Sequence, residues 1–352
     1  MTGRQPYTDS GRLLDDPAAL KRLLAQDGYL CLPGLLRTAV DDVARDVLAV
    51  ARDAGWVRPA QDGRGPADTV PGTAVWPPDP RFHAVHHRAW RLRSVHALMH
   101  HPALLDLMAA LLGETVLVHP RKVLRLVHPK GPGAPPESGW HQDLPGVQGS
   151  PRTLTVWTPL IPGSLSPEVR PGSHRHGELP MRLSNDAIVG WETETAPGPV
   201  HHGSLRPGDI LVLDAATVHR GMPNTGSGLR MSLDCRYQPL SDPVCEDCIE
   251  LRGEPYTWDD VYRDWPGGRA DPLAGYWLEQ PLRRVPYDHG PDAQRDRTAL
   301  TAARAGNPEA RRALHVAARH SPDPAFAAAV GVLDRRLSAA AGSRPPAAEK
   351  RL

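Results

Sequence analysis

The run "SGWHQDLPGVQGSPRTLTVWTPL", residues 138–160, sets His141 and Asp143 two positions apart, after a Pro/Gly loop and before a β-like segment. On a strand, residues i and i+2 share a face, so an imidazole and a carboxylate at this spacing point to one place. The spacing predicts two ligands of a metal site at the start of β structure. A His-x-Asp pair also arises by accident on surfaces, so the reading turns on a third ligand.

Around this run the chain changes period. "TVLVHPRKVLRLVHP" (115–129), "RTLTVWTPLIP" (152–162), "GDILVLDAATVH" (208–219) and "GLRMSLDCRYQP" (228–239) are β-branched or alternating, with Pro/Gly turns between them. In the last of these, Arg230, Ser232, Asp234 and Arg236 fall on one face and Met231, Leu233, Cys235 and Tyr237 on the other. A strand with four polar side chains on one side faces solvent or lines a polar cavity.

Helices are expected on either side of this core. "DPAALKRLLAQDG" (16–28) reads as a helix closed by Gly28 and followed by a β-like "YLCLPG" (29–34). "RTAVDDVARDVLAVARDAGW" (37–56) carries Val40, Val43, Val47 and Val50 at helical spacing, and "SVHALMHHPALLDLMAALLGE" (94–114) is helical up to Gly113. Residues 57–81, dominated by Pro, Gly and Asp, are expected to be an irregular loop. The Ala-rich 299–342 should form helices broken at Gly306-Asn307-Pro308 and Ser321-Pro322. The expected fold is mainly β with flanking helices. The expected organisation is one unit over 1–288 with its β core at about 115–240, an α-helical C-terminal extension over 289–342, and a fraying tail over 343–352.

Composition removes several function classes. The 352 residues carry 41 basic and 40 acidic side chains, so no electrostatic footprint for nucleic acid is expected. Almost all the basic residues are arginine, with lysine only at 21, 122, 130 and 350. The N-terminus has no apolar signal region and no stretch is expected to reach membrane-spanning length, which predicts a cytoplasmic protein without a membrane partner. Cys31, Cys235, Cys245 and Cys248 are too few for a disulfide scaffold, and "CEDC" (245–248) reads as a loop that happens to hold two thiols.

For the third ligand, His174, His176, His201 and His202 sit in turn-like contexts, whereas His219 closes an apolar strand. Two histidines and a carboxylate leave three positions open on an octahedral metal, the pattern of non-haem Fe(II) oxygenases, which use them for a 2-oxo acid and dioxygen. The distal carboxylate of that acid needs a cation, and Arg230, eleven residues after His219, has the planar fork suited to it.

In this order, "GWHQD", "LTVWTPL", "VRPGSHRHG", "LRPGDILVLDAATVHRGMPN" and "RMSLDCRYQ" resemble the phytanoyl-CoA dioxygenase family of Fe(II)/2-oxoglutarate oxygenases over roughly residues 20–240. The resemblance implies a double-stranded β-helix, or jelly roll. It implies iron at His141, Asp143 and His219, 2-oxoglutarate at Arg230, Trp157 near that cosubstrate, and a further polar contact from Lys122 or Arg125. It also implies C–H hydroxylation or a related C–H oxidation, with O2 consumed and succinate and CO2 released. Halogenating relatives have a small residue where Asp143 stands. Two departures matter: Gly221 replaces a hydroxyl-bearing residue, and "GSLSPEVRPGSH" (163–174) replaces the usual lead-in to the PGSH turn.

A small-molecule substrate in specialised metabolism is expected, with Trp76, His83, Gln148 and Arg236 as candidate contacts and His86 and His87 near them. Two other readings stay open at this point: a non-catalytic jelly-roll binding protein, and a cupin-like hydrolase or isomerase using another divalent metal. Whether the C-terminal helices make a homodimer is also open.

Overall fold

The structure is a computed structural model describing residues 3–58, 68–77, 79–131, 134, 138–163, 166–184, 191–194, 198–307 and scattered positions between 310 and 335. The tail at 343–352 and the break at Ser321-Pro322 lie outside the described residues.

The strands are β1 (Arg4–Pro6), β2 (Tyr29–Leu32), β3 (Val116–Val118), β4 (Val123–Val127), β5 (Leu154–Pro159), β6 (Glu168–Val169), β7 (Met181–Leu183), β8 (Trp191–Thr193), β9 (Val200–His202), β10 (Ile210–Asp214), β11 (His219–Arg220), β12 (Arg230–Pro239), β13 (Val244–Cys245) and β14 (Arg284–Val285). A larger sheet runs β2-β10-β5-β12-β3, with β4 also on β12, and a smaller one runs β1-β9-β6-β11. These two sheets face each other as the halves of a double-stranded β-helix, so the expected fold class holds.

The helices are α1 (Pro17–Asp27), α2 (Val40–Asp53), α3 (Pro80–Trp90), α4 (Arg93–Leu98), α5 (Pro102–Leu112), α6 (Leu144–Val147), α7 (Trp258–Tyr262) and α8 (Gly290–Arg304). Asp16 caps α1 by accepting from the Ala19 amide at 2.9 Å, and Gly28 ends it at φ 74°. A Cβ at Gly28 would sit 2.4 Å from His174 Nδ1 and from Thr217 Oγ1, so this turn admits only glycine beside the loop that leads to His219.

One apolar core lies between the helices and the outer face of the larger sheet. Val40, Val43, Val47 and Val50 of α2 and Leu104, Met108 and Leu111 of α5 meet Val156, Ile210, Val212, Met231, Leu233, Cys235 and Tyr237 there. Fully burying such a side chain contributes about 1.5–3 kcal/mol, so this face anchors the sheet. The opposite side of β12 turns Arg230, Ser232 and Asp234 into the protein, all buried, which decides between the solvent and cavity alternatives in favour of the cavity. Tyr29, Cys31, Trp157, Val169, Leu211 and Leu213 fill the rest of the space between the sheets.

Two expectations need correcting. Residues 93–112 are apolar and long enough, by composition, to cross a bilayer, but they form α4 and α5 with a turn at 99–101, and Val95, Leu98, Met99 and Leu104 lie in the core. The 57–81 loop stops at Asp79, whose carboxylate caps α3 by accepting from Arg81 N at 2.8 Å, so His83, His86 and His87 stand on a helix. Beyond the sheets, Ala299 and Ala303 of α8 pack with Ala310, Ala313 and Leu314 on Trp191 of β8.

Candidate metal centre and its cavity

His141 and His219 meet through a two-residue bridge: each backbone N–H donates to the other's carbonyl at 2.9 Å, and the imidazole centroids lie 4.2 Å apart. Neighbouring side chains pin this bridge. Gln142 donates to the carbonyls of Ala216 (2.6 Å) and Gly177 (2.7 Å) and accepts from Leu179 N (2.8 Å). Ser173 Oγ accepts from Val218 N at 2.8 Å while donating to Arg170 O at 2.7 Å, which gives the PGSH turn its structural purpose. The guanidinium groups of Arg170 and Arg220 each lie over the Trp140 ring, 4.5 Å from its centroid. Arg220 in turn pairs with the buried Glu168.

Asp143 reaches the same place by a different route from the one expected. It is not on a strand with His141; it is the residue before the four-residue α6, whose first amide, Leu144 N, donates to Ala215 O at 2.9 Å. A bridge followed by a helical turn, rather than strand alternation, brings the carboxylate round. The ligand-capable atoms of His141, Asp143 and His219 all lie within 4.8 Å of one another, an arrangement that could hold a metal ion.

The surroundings suit such a group. His141 Nδ1 faces Gly139 O at 2.8 Å and His219 Nδ1 faces Thr217 O at 3.0 Å. A carbonyl only accepts, so each Nδ1 is a donor and Nε2 is the ring nitrogen left to face a metal. Burial, with His219 alongside, pushes His141 down to about 3, so its ring is neutral near pH 7. Asp143 Oδ2 accepts from Thr155 Oγ1 at 2.6 Å and Oδ1 from Arg236 at 3.0 Å. Burial alone would raise this carboxyl, but Arg236, the two imidazoles and the Thr155 hydroxyl outweigh it and hold Asp143 well below the usual carboxylate range. Two imidazole nitrogens and an oriented carboxylate fit Fe(II).

A cavity of about 560 Å³ opens here and runs round β4 to α3, lined among others by His141, His219, Trp157, Arg230, Arg125, Trp76, His83 and Tyr256. Arg230, 8% exposed, opens β12 and donates to Met222 O. It is not paired with Asp234, which instead lies between Arg125 (3.4 Å) and Arg236 (3.3 Å).

Several sequence candidates do not fit their expected place. Lys122 lines the cavity, but its ammonium donates to His119 O at 2.5 Å and lies 5.9 Å from the Tyr276 ring centroid. Arg236 is not among the residues lining the cavity, because Asp143 and Asp234 occupy its guanidinium. Gln148 also lies off the cavity, at φ 36°, with its amide tied to the backbone of Asp288.

Two contributors to the site carry no motif in the sequence: Thr155, whose hydroxyl faces Asp143 from within an apolar strand, and 251–256, whose Tyr256 joins the cavity wall. Alternation on β5 places Thr155 on the same face as Trp157, and that was the available signal. Where Gly221 lacks a hydroxyl, Ser138 supplies one: its Oγ accepts from Gly221 N at 3.0 Å and it lines the cavity.

Comparison with known proteins gives a match to the phytanoyl-CoA dioxygenase family profile over residues 24–232. A 1-deoxypentalenic acid 11-beta-hydroxylase of Streptomyces exfoliatus is 28% identical over 257 residues, covering 67% of this chain and 86% of that protein. The corresponding hydroxylase of Streptomyces arenae is 27% identical over 258 residues, with the same coverage of each chain. Among solved structures, the epimerase SnoN in complex with Fe3+, alpha ketoglutarate and nogalamycin RO is 22% identical, covering 68% of this chain and 93% of its own, with a TM-score of 0.44.

Proposed function

This chain belongs to the phytanoyl-CoA dioxygenase family, and we propose on that premise that it is a non-haem Fe(II)/2-oxoglutarate-dependent dioxygenase hydroxylating a C–H bond of a small molecule in specialised metabolism. The observation that carries this reading is the convergence of His141, Asp143 and His219 within 4.8 Å beside a cavity that also takes in Arg230. The hydroxylases similar to this chain support the reaction type.

His141, Asp143 and His219 would hold the iron, and Arg230 the distal carboxylate of 2-oxoglutarate, with Trp157 and Arg125 flanking that cosubstrate. Iron, when bound with 2-oxoglutarate and O2, supplies oxidative C–H cleavage with release of succinate and CO2. The chain's own part is preparation. The carbonyls of Gly139 and Thr217 fix the tautomers of the two imidazoles. Arg236 and Thr155 keep Asp143 ionised and turned inward. Because a carboxylate stands at 143, no position is given up to a halide, which favours hydroxylation. Trp76 and His83 would meet the substrate on the α3 side, where the cavity exceeds what 2-oxoglutarate needs. We assign the reaction to residues 1–288, with 289–342 as an appended extension that takes no part in it.

Anaerobic titration of the apo-protein with Fe(II) and 2-oxoglutarate tests the reading. The visible charge-transfer band of the chelated 2-oxo acid is expected, and its loss in Asp143→Ala and Arg230→Leu. Iron binding without a band would remove the cosubstrate role of Arg230 and favour a hydrolase or a binding protein.

A further inference from the structure

Where the cavity runs along α3 it acquires a second polar group, His87, Arg121, Glu254 and Tyr256, none of them a proposed contact of the metal or of 2-oxoglutarate. Glu254 stands in the 251–256 loop ahead of α7. Its Oε2 lies 3.6 Å from His87 Nε2, and its Oε1 lies 3.8 Å from one terminal nitrogen of Arg121. Both separations exceed the usual N–H···O range of about 2.7–3.2 Å, so the three side chains face one another across a gap. The other terminal nitrogen of Arg121 donates to Asp247 O at 2.8 Å, which fixes the guanidinium in place. These three side chains keep between 21% and 35% of their surface exposed, so a molecule in the cavity reaches them. The Tyr256 ring closes the group, 5.0 Å from the His87 ring and edge-on to it. The rest of the α3 side is mainly apolar, with Trp76, Phe82, Trp90, Leu124 and Leu126 in its walls.

The charges of this group decide what it accepts. Burial lowers His87, so its ring is neutral near pH 7, and burial with Glu254 alongside pushes Tyr256 up, so its hydroxyl keeps its proton. One cation, Arg121, and one anion, Glu254, remain. Two further cations nearby are engaged elsewhere: Arg91, which does not line the cavity, lies over the Tyr256 ring, and the Lys122 ammonium is bonded to His119 O. A carboxylate entering the gap would face Glu254, and an ammonium would face Arg121, each a like charge at close range. A neutral hydroxyl meets neither objection, since it donates to the carboxylate and accepts from the guanidinium. We propose that the substrate is a neutral amphiphile, an apolar body ending in one or more hydroxyl groups, and that Glu254 and Arg121 hold this end while the body lies along the aromatic wall. The assignment rests on the oxygenase reading above and adds to it the chemical class of the substrate.

The full chain, loaded with Co(II) and 2-oxoglutarate so that the metal end is filled, is titrated by calorimetry with hexyl β-glucoside, heptanoate and hexylammonium, which share an apolar tail and differ in its end group. The glucoside is expected to bind about tenfold more tightly than either charged probe, and to lose about tenfold in Arg121→Met and in Glu254→Ala. Glu254→Gln keeps the shape of the side chain and removes its charge, leaving Arg121 without a counter-ion, so heptanoate should gain about tenfold in that variant. A purely structural role for Glu254 would not move this preference. Tighter binding of heptanoate or hexylammonium by the wild type, or no binding of the glucoside, overturns the neutral class. Glucoside affinity unchanged in both Arg121→Met and Glu254→Ala overturns the site. Failure of the wild type to take up Co(II) and 2-oxoglutarate is seen before any probe is added, and strikes the oxygenase reading together with the assignment that rests on it.

Discussion

Arg236 donates to Asp143 Oδ1 at 3.0 Å from the strand that also bears Asp234, and it pairs with Asp234 at 3.3 Å. One buried guanidinium thus offsets two buried carboxylates, one of them the proposed iron ligand. Burial by itself would lower this guanidinium's affinity for its proton, but the two carboxylates reverse that and raise it.

Removing this cation should therefore be felt twice. Arg236→Leu leaves Asp143 and Asp234 underneutralised, so a stability loss of about 3–5 kcal/mol is expected in denaturant titration. Metal affinity should fall about 10–100-fold, and Arg236→Lys should recover part of the stability but less of the affinity, because an ammonium lacks the fork. Unchanged metal affinity in a folded Arg236→Leu would show that Asp143 orients itself.

Thr155→Val tests the other oxygen of the same carboxylate. The substitution keeps the shape of the side chain and removes only the 2.6 Å donor to Oδ2. A several-fold weaker Fe(II) affinity is expected, about 1–2 kcal/mol for a charged hydrogen bond in a buried site, with little change in Tm. Calorimetric titration of both proteins gives the comparison.

Much of this arrangement was readable in the sequence, and the unread part has a physical cause. Period-2 alternation is strong where a strand separates an apolar core from a polar interior, which is why β12 and its two faces were legible. The small sheet escaped notice because β6 and β11 are two residues long, too short to show any period. His141 and Asp143 converge, but through a bridge and a helical turn that depend on Ala215, Ala216 and Gly177, contacts remote in sequence. Arg236 could not be told from a substrate contact, since alternation fixes a side chain's face and not its partner. In "CEDC" the spacing was visible, but the bond from the Cys248 thiol to Val147 O of α6 was not.

Acid should unfold the protein earlier than its carboxylates alone would require. Burial depresses His96 and His119 to about 3 and His128 to about 4, against an ordinary value of 6.5. Each folded value lies below the unfolded one, so the unfolded chain binds the extra proton between them. The neutral form's contribution is fully present above about pH 6.5 and is lost as pH falls toward 3–4. In that window each of these histidines should remove about 1.4 kcal/mol of stability per pH unit. Thermal melts at pH 7, 6 and 5 should show Tm falling, and His128→Phe, which cannot titrate within its Trp56 and Trp76 surroundings, should flatten the fall. A Tm independent of pH over this range would mean these rings bind protons equally in the folded and unfolded states.

Lys122 and Arg125 were equal candidates for a second cosubstrate contact, and the structure gives them different surroundings. Arg125 faces the cavity with Asp234 and acts on the His141 ring. The Lys122 ammonium is bonded to His119 O and lies beside Cys235, where burial lowers its affinity for a proton. Lys122→Met should therefore leave the KM for 2-oxoglutarate within about twofold of wild type, since Lys122 lines the cavity but commits its ammonium to His119 O. Its effect on stability is a balance: a buried cation is removed, which favours folding, and the His119 carbonyl loses a donor, which opposes it. Arg125→Met should raise that KM about tenfold and also destabilise, because Asp234 is left with Arg236 alone. Succinate release measured against 2-oxoglutarate concentration separates the two variants, and a tenfold higher KM in Lys122→Met alone would mean that the lysine, rather than Arg125, reaches the cosubstrate.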